Sequence, residues 1–381
     1  MGLYRAAARP LFSSLPPEAA HRLAQSILSL PLPWERIGGT PKDPALRTSL
    51  AGIELSNPVG LAAGFDKSCR HLDALGRLGF GYVIGGTITR DLRAGNPKPR
   101  IARYPRRGSM TNAMGLPNPG AEAAARTLSR TPRSGPRLAS IADQDPGEVV
   151  ATHALLEAHV DGVELNASCP NVSWGRDRDN EAHLALLMRE LGARRTRPLF
   201  VKLPPFRSDV EREAVLALAR IAQDGGADGL TCSNTRPVSD RRLAVGAGGL
   251  SGRELFHDTV QIVEAVGTAT GGTLPINACG GVLSAADALA CLEAGATTVQ
   301  LYTGLIEGGP RVVRNIVRGL SEALNGRSLA PATSPGQDGT RPGTFRRGFG
   351  ATATASAVEG RPGPAEGPGG RPAPGGSQAL R

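Results

Sequence analysis

Lysine is nearly missing from this chain. Among 381 residues and 44 basic side chains, only Lys42, Lys67, Lys98 and Lys202 are lysines. The other basic residues are arginines spread along the sequence. The net charge of +10 therefore reads as compositional bias rather than as a nucleic-acid surface. Aromatics are scarce at 4%, too few to build stacking platforms for single strands. Five cysteines, Cys69, Cys169, Cys232, Cys279 and Cys291, form no CxxC pair and no zinc-like spacing. That odd number argues against a disulfide framework, gives no metal site, and points to a reducing compartment. No apolar run approaches the ~18 residues of a membrane span. The opening MGLYRAAARPLF has neither the long apolar stretch nor the cleavage site of a signal peptide, which argues against secretion.

What is present separates into three zones. Residues 1–45 read as an N-terminal extension of short helices broken by prolines. LYRAAARPLFSSL and PEAAHRLAQSILSL each carry apolar residues at helical spacing, with arginines between them. Residues 46–324 alternate strand and helix signals. Residues 325–381 are mostly Gly, Pro, Ala, Ser and Arg without apolar periodicity, which predicts a disordered tail.

The middle zone repeats one theme, a short β-rich run followed by a helical pattern. The runs are VGLAA (59–63), YVIGG (82–86), RLASI (137–141), GVELNAS (162–168), LFVKL (199–203), GLTCSN (229–234), PINACGG (275–281) and TVQLY (298–302). Near-continuous apolar runs are the mark of buried parallel strands. Eight βα units in a segment of this length predict an α/β protein of the (β/α)8 TIM-barrel class. A doubly wound open sheet is the alternative, disfavoured because no GxGxxG follows the first run.

Barrel active sites gather at the C-terminal ends of the strands. Here that rim collects Lys67 and Lys202, half of all the lysines, together with several asparagines. The last two strand ends, ACGGV and LYTGL, are glycine-rich where barrels often bind phosphate, and GGLSGREL (248–255) adds a third glycine loop. Two ordinary tight turns are the plainer reading of the first two. Lys202 interrupts an apolar strand, and a buried ammonium needs an anionic partner, either a carboxylate such as Asp66 or a ligand. A reduced flavin, negative at N1 and O2, suits it. Cys169, in NASCPN, lies on a polar loop at the rim, where a thiol can serve as a base; a structural cysteine is the commoner case. Asn112, Asn166, Asn171 and Asn234 can each donate and accept, as recognition of an imide-like ligand requires, although Asn also commonly marks turns.

On these residues the chain resembles the flavin-dependent dihydroorotate dehydrogenases of pyrimidine synthesis, from about residue 4 to 320. The matching motifs are NPVGLAAGFDK (57–67), GGTITRDLRAGNPKPRIARY (85–104), TNAMGLPNPG (111–120), ELNASCPN (164–171), VKLPP (201–205), SNT (233–235), GGLSGREL (248–255), ACGG (278–281) and LYTGLIEGGP (301–310). The resemblance implies an FMN site on Ala63, Gly64, Lys67, Thr87, Asn166, Lys202, Ser233, Gly252, Gly281, Tyr302 and Thr303. Ser140 stands where the membrane-linked class usually has Asn. It implies a dihydroorotate and orotate site on Lys67, Asn112, Met114, Gly115, Leu116, Asn166, Asn171, Asn234 and Thr235, with Cys169 as the catalytic base.

Two features of the resemblance point to different classes. The extension, with LFSSLPPEAAHRLA (11–24) and His21, and the GNPKPRIARY loop with Arg103, look like the quinone-reducing class, a peripheral protein on the cytoplasmic side of the cell membrane. That class normally uses Ser as base, whereas Cys is typical of the soluble class, which reduces fumarate or NAD. Proton abstraction and flavin reoxidation are separate half-reactions, and the extension serves the second. The expectation is therefore quinone as acceptor, with the soluble class as alternative. A related flavin-barrel reductase of pyrimidines, or an inactive barrel used as a scaffold, completes the set.

Overall fold

The computed structural model describes Tyr4, residues 8–168 and residues 180–326. Cys169, Asn171 and nearly all of the predicted tail lie outside the described residues.

Eight parallel strands close into a barrel: β1 (Val59–Asp66), β2 (Tyr82–Ile88), β3 (Arg137–Ile141), β4 (Gly162–Asn166), β5 (Leu199–Lys202), β6 (Gly229–Cys232), β7 (Ile276–Cys279) and β8 (Thr298–Leu301). They run in sequence order, each pairing with the next, and β8 returns to β1. Each of the eight predicted runs supplies one strand. Their residues are almost entirely buried because helices cover the outside while side chains fill the inside. Filling the inside requires small residues where large ones intrude. A β-carbon at Gly60 would sit 2.3 Å from the ring of Tyr82, which occupies that space.

The outer helices begin at local signals. Ser208 and Glu211 form a reciprocal capping box for Asp209–Asp224, and Ser284 with Asp287 does the same for Ala285–Glu293. Asp145 accepts from the amides of Gly147 and Glu148 at the start of Pro146–Leu156.

Two insertions at the strand ends form a cover that the sequence patterns did not predict. Ile101–Tyr104 and Ser109–Asn112, after β2, join Arg236–Ser239 and Ala247–Gly252, after β6, in a four-stranded antiparallel sheet. The supposed glycine loop GGLSGREL is thus largely a strand. Its glycines allow close approach, since a β-carbon on Gly249 would meet Thr235 at 2.0 Å. Asp240 ties the sheet together, accepting from Tyr104 at 2.6 Å and Thr111 at 2.5 Å, while Arg242 stacks on Tyr104.

The N-terminal segment forms α1 (Arg9–Ser14), α2 (Pro17–Leu28) and α3 (Trp34–Gly38). Proline stands at the start of α2, where its missing N–H costs nothing. Arg103 anchors α1 and α2 by donating to the carbonyls of Phe12, Leu15 and Pro17. Arg100 and Lys98 pair with Glu18, and Arg9 pairs with Glu307. Trp34 and Leu46 belong to the barrel's own core. The part that merely docks therefore ends near residue 30.

Candidate active site

The cover and the strand ends enclose a cavity of about 1450 Å³. Pockets for one ligand commonly measure ~300–1,000 Å³, so this one has room for two.

One corner is small and rich in hydroxyls. Gly252, Gly280, Gly281 and Thr303 line it, and the Thr303 hydroxyl lies 3.3 Å from that of Ser251. Gly281 has φ +71°, and a β-carbon there would come within 2.4 Å of the Phe256 nitrogen. Only glycine lets the chain turn so tightly beside a bulky anion. The next stretch of wall is formed by Ala63 and Gly64 from β1, Thr87 from β2, Asn166 from β4, Lys202 from β5 and Tyr302 after β8. Lys202 is 4% exposed and donates to Cys279 Sγ at 3.9 Å. A fixed cation beside a flat, small-residue wall and a hydroxyl corner matches the anionic ring edge and phosphate of a flavin mononucleotide. The residues present fit that group.

A side-chain chain crosses the rim. Ser140 Oγ lies 3.1 Å from Thr87 Oγ1. Asn166 donates to Thr87 at 3.1 Å. Ser168 donates to Asn166 Oδ1 at 2.8 Å and accepts from Asn234 Nδ2 at 2.7 Å. Asn166 and Asn234 are thereby held in fixed orientations. Ser140 and Ser233, both expected at the flavin, do not line the cavity. Ser140 reaches it only through Thr87, and the Ser233 amide bonds to the Cys279 carbonyl. The cover contributes Asn112, Met114, Gly115, Leu116 and Thr235, all on the cavity wall. Met110, Ser251 and Cys279 also line it and were not foreseen; their only signal is a position beside predicted residues.

Lys67 follows β1 and donates to the Gly64 carbonyl. Burial is the main influence on it and pushes its ammonium down to about 8, with Arg100 adding repulsion and Asp66 opposing. Asp66 does not serve Lys202. It accepts from the Ser68 hydroxyl and from the Ser68 and His71 amides. Below about pH 8 Lys67 is cationic and attracts a carboxylate; above it the charge is lost. Orotate affinity is therefore expected to weaken as pH rises through about 8, and Lys67→Met to flatten that dependence. Titrating orotate at pH 6 to 9 checks it.

The extension meets the cavity through rings. His21 on α2 packs edge-on against Phe65, with centroids 5.4 Å apart, and Phe65 packs edge-on against Tyr302 at 5.8 Å. Burial, reinforced by Lys67, holds His21 down at about 4, so it is neutral at physiological pH.

Residues 45–324 match the family model described as dihydroorotate dehydrogenase. The chain belongs to that family. Among its dihydroorotate dehydrogenase relatives, the enzyme named dihydroorotate dehydrogenase (quinone) of Erythrobacter litoralis is 37% identical, over 84% of this chain and 96% of the relative. Those of Verminephrobacter eiseniae and Acidithiobacillus ferrooxidans carry the same name. They are 35% and 36% identical, over 84% and 82% of this chain and 94% and 93% of theirs. The crystal structure of DHODH from Eimeria tenella in complex with ferulenol superposes with a TM-score of 0.71 at 28% identity, covering 81% of this chain and 92% of that one. As a dihydroorotate dehydrogenase the chain is an oxidoreductase on a (β/α)8 barrel, the class its strand pattern predicted.

Proposed function

We propose that this chain oxidises dihydroorotate to orotate on a bound FMN and passes the electrons to a quinone. The observation that carries the reading is the one cavity flanked by Lys67, Lys202, the ordered asparagines and the glycine corner, with the ring series from His21 leading out of it. FMN, when bound, supplies an acceptor for a hydride. The chain's residues do the rest. Asn112, Asn166, Asn171 and Asn234 hold the imide-like ring, and Lys67 takes the carboxylate. Dihydroorotate must lose a proton from C5 and a hydride from C6 to form the ring double bond. Cys169 is the base for the C5 proton. Lys202 is the cation that offsets negative charge on the reduced cofactor. Ala63, Gly64, Gly252, Gly281, Tyr302 and Thr303 wall the cofactor, with Thr87 and Ser140 acting through their hydroxyl pair.

The extension is the site of the acceptor. Leu11, Leu23, Leu30 and Leu32 are exposed on residues 11–32, a concentration of apolar surface that suits a peripheral membrane contact. No helix among the described residues is long and apolar enough to cross a membrane. The reading is a protein held at the surface of the cell membrane, on its cytoplasmic side, drawing quinone toward Tyr302.

Two experiments test this. Purified protein should be yellow, release FMN on denaturation, bleach with dihydroorotate and recolour with a quinone. Protein that shows no flavin absorbance even after FMN is added removes the proposal. Deleting residues 1–30, short of the core residues Trp34 and Leu46, should spare bleaching but abolish quinone turnover and vesicle binding. A truncated protein that reacts with quinone as fast as the full chain favours the soluble-class alternative, with fumarate or NAD as acceptor.

A further inference from the structure

One acid of the extension is tied, through a series of hydrogen bonds, to the cover segment on the cavity wall. Glu18 lies in the first turn of α2, three residues before His21. Its two carboxylate oxygens accept separately from one guanidinium, from Arg100 Nε at 3.1 Å and from Arg100 Nη2 at 3.2 Å. The pair is largely shielded from water, with 19% of the Glu18 and 12% of the Arg100 side chain exposed. A forked, charge-assisted pair of this kind fixes direction as well as distance. Burial raises the Glu18 carboxyl, but its bond to Arg100 and the charges of Arg100 and Lys98 outweigh that and hold the group below its ordinary value. Glu18 is therefore ionised at neutral pH.

Arg100 passes this contact on to the cover. Its third nitrogen, Nη1, donates to the carbonyls of Ala94 at 2.9 Å and Asn96 at 3.3 Å. Its own carbonyl accepts from the Ala113 amide at 2.9 Å. Asn96 holds the same segment from beside it. Its side chain donates to the Ala113 carbonyl at 3.0 Å, and its amide donates to the Met114 carbonyl at 2.9 Å. The fit is close at Gly115, where φ is +70° and a β-carbon would come within 2.5 Å of Asn96 Oδ1. Ala113, Met114 and Gly115 all line the cavity and follow directly on Asn112. Other ties of the extension go elsewhere: Arg9 pairs with Glu307, away from this segment.

We propose that Glu18 is a positioning residue for the substrate: through Arg100 and Asn96 it fixes the segment Ala113–Gly115, so that the extension contributes to dihydroorotate binding as well as to the acceptor's site. The proposal rests on the reading of this segment and of Lys67 as contacts of the substrate. A binding segment held in place beforehand need not be ordered when the ligand arrives, and affinity rises accordingly. The same acid also acts through space. After burial, the influences on Lys67 are attraction to Asp66, repulsion by Arg100 and attraction to Glu18. His21 also senses Lys67 and is itself neutral. Removing the Glu18 charge leaves the Arg100 repulsion less opposed, which disfavours the Lys67 cation further.

The test titrates orotate into the full-length, FMN-loaded protein for the unmutated chain, Glu18→Ala, Glu18→Gln and Glu307→Gln. Glu18→Ala is expected to bind orotate roughly tenfold more weakly, a coupling of ordinary size between linked sites. In stopped-flow bleaching it should need correspondingly more dihydroorotate for half-saturation yet reach the unmutated rate at saturation, because Cys169 and Lys202 are untouched. Deleting residues 1–30 should show the same split. Glu307→Gln loosens the extension without touching the segment and should bind orotate as the unmutated chain does. Glu18→Gln keeps the acid's shape and removes its charge, so the loss of orotate affinity with rising pH should set in at lower pH than in the unmutated chain. Unchanged orotate affinity in Glu18→Ala overturns the proposal. An equal loss in Glu307→Gln also overturns it, since the effect would then be one of docking alone, and so does an unshifted pH profile in Glu18→Gln. Should Glu18→Ala not fold, Glu18→Gln carries the affinity test with the same outcomes. An unmutated chain that takes up FMN but no orotate removes the substrate reading itself.

Discussion

Cys169→Ala is expected to slow flavin reduction by dihydroorotate roughly 10²–10⁴-fold while leaving orotate binding intact, the usual loss for a positioned base. The C5 proton needs an acceptor, and the NASCPN segment offers Ser168 and Cys169. The Ser168 hydroxyl is already spent. It donates to Asn166 and accepts from Asn234, so it serves to orient the asparagines. A thiol also needs less help than a hydroxyl, because its unperturbed pKa is ~8.5 and a hydroxyl's is far higher. Flavin reduction should therefore rise with pH toward the thiol's pKa. Iodoacetamide should inactivate, and orotate should protect. Cys169→Ser should be slower at neutral pH. Stopped-flow bleaching of the flavin measures all of these. A Cys169→Ala protein that bleaches at the unmutated rate would show that the base lies elsewhere.

The second large effect is expected at Lys202. Lys202→Ala removes the cation proposed to offset negative charge on the reduced cofactor and should cost roughly 10²–10³-fold in flavin reduction, comparable to losing one preorganised electrostatic donor. Lys202→Arg should do little better. The strand LFVK is buried at every residue, and the guanidinium is bulkier and rigidly forked. Fitting it would take space from the cavity, so the Arg variant should also lose FMN on purification. Rapid-mixing rates together with flavin content separate the two causes. Near-normal reduction in both variants would refute the role.

Much of this protein was legible before any coordinates. The eight strands stood out because parallel barrel strands are buried on both sides and so read as unbroken apolar runs, and each run became a strand. Residues at the ends of those runs, such as Gly64, Thr87, Asn166, Lys202, Gly281 and Thr303, were legible for the same reason. The barrel's closure decides that strand ends converge.

Other features depended on tertiary structure. The cover sheet escapes a local reading because its strands are short and its two hairpins join only through a long-range pair, as Asn112 with Gly249, 137 apart in chain numbering, illustrates; no local periodicity records such a partner. Ser140 and Ser233 sit at strand ends but do not line the cavity; Ser140 meets it through the hydroxyl of Thr87, a contact that only the paired strands create. Glu164 was passed over as one letter in an apolar run. Only the closed barrel reveals that its carboxylate is fully buried and accepts from Thr231 on β6. The extension's helices were written in their apolar spacing and prolines. Trp34 reads as part of the extension in sequence, but the core takes it in alongside Leu46, since burying a large apolar side chain is favourable. Local chemistry thus determined the elements and most of the site's residue types, while long-range packing determined which of them face one another.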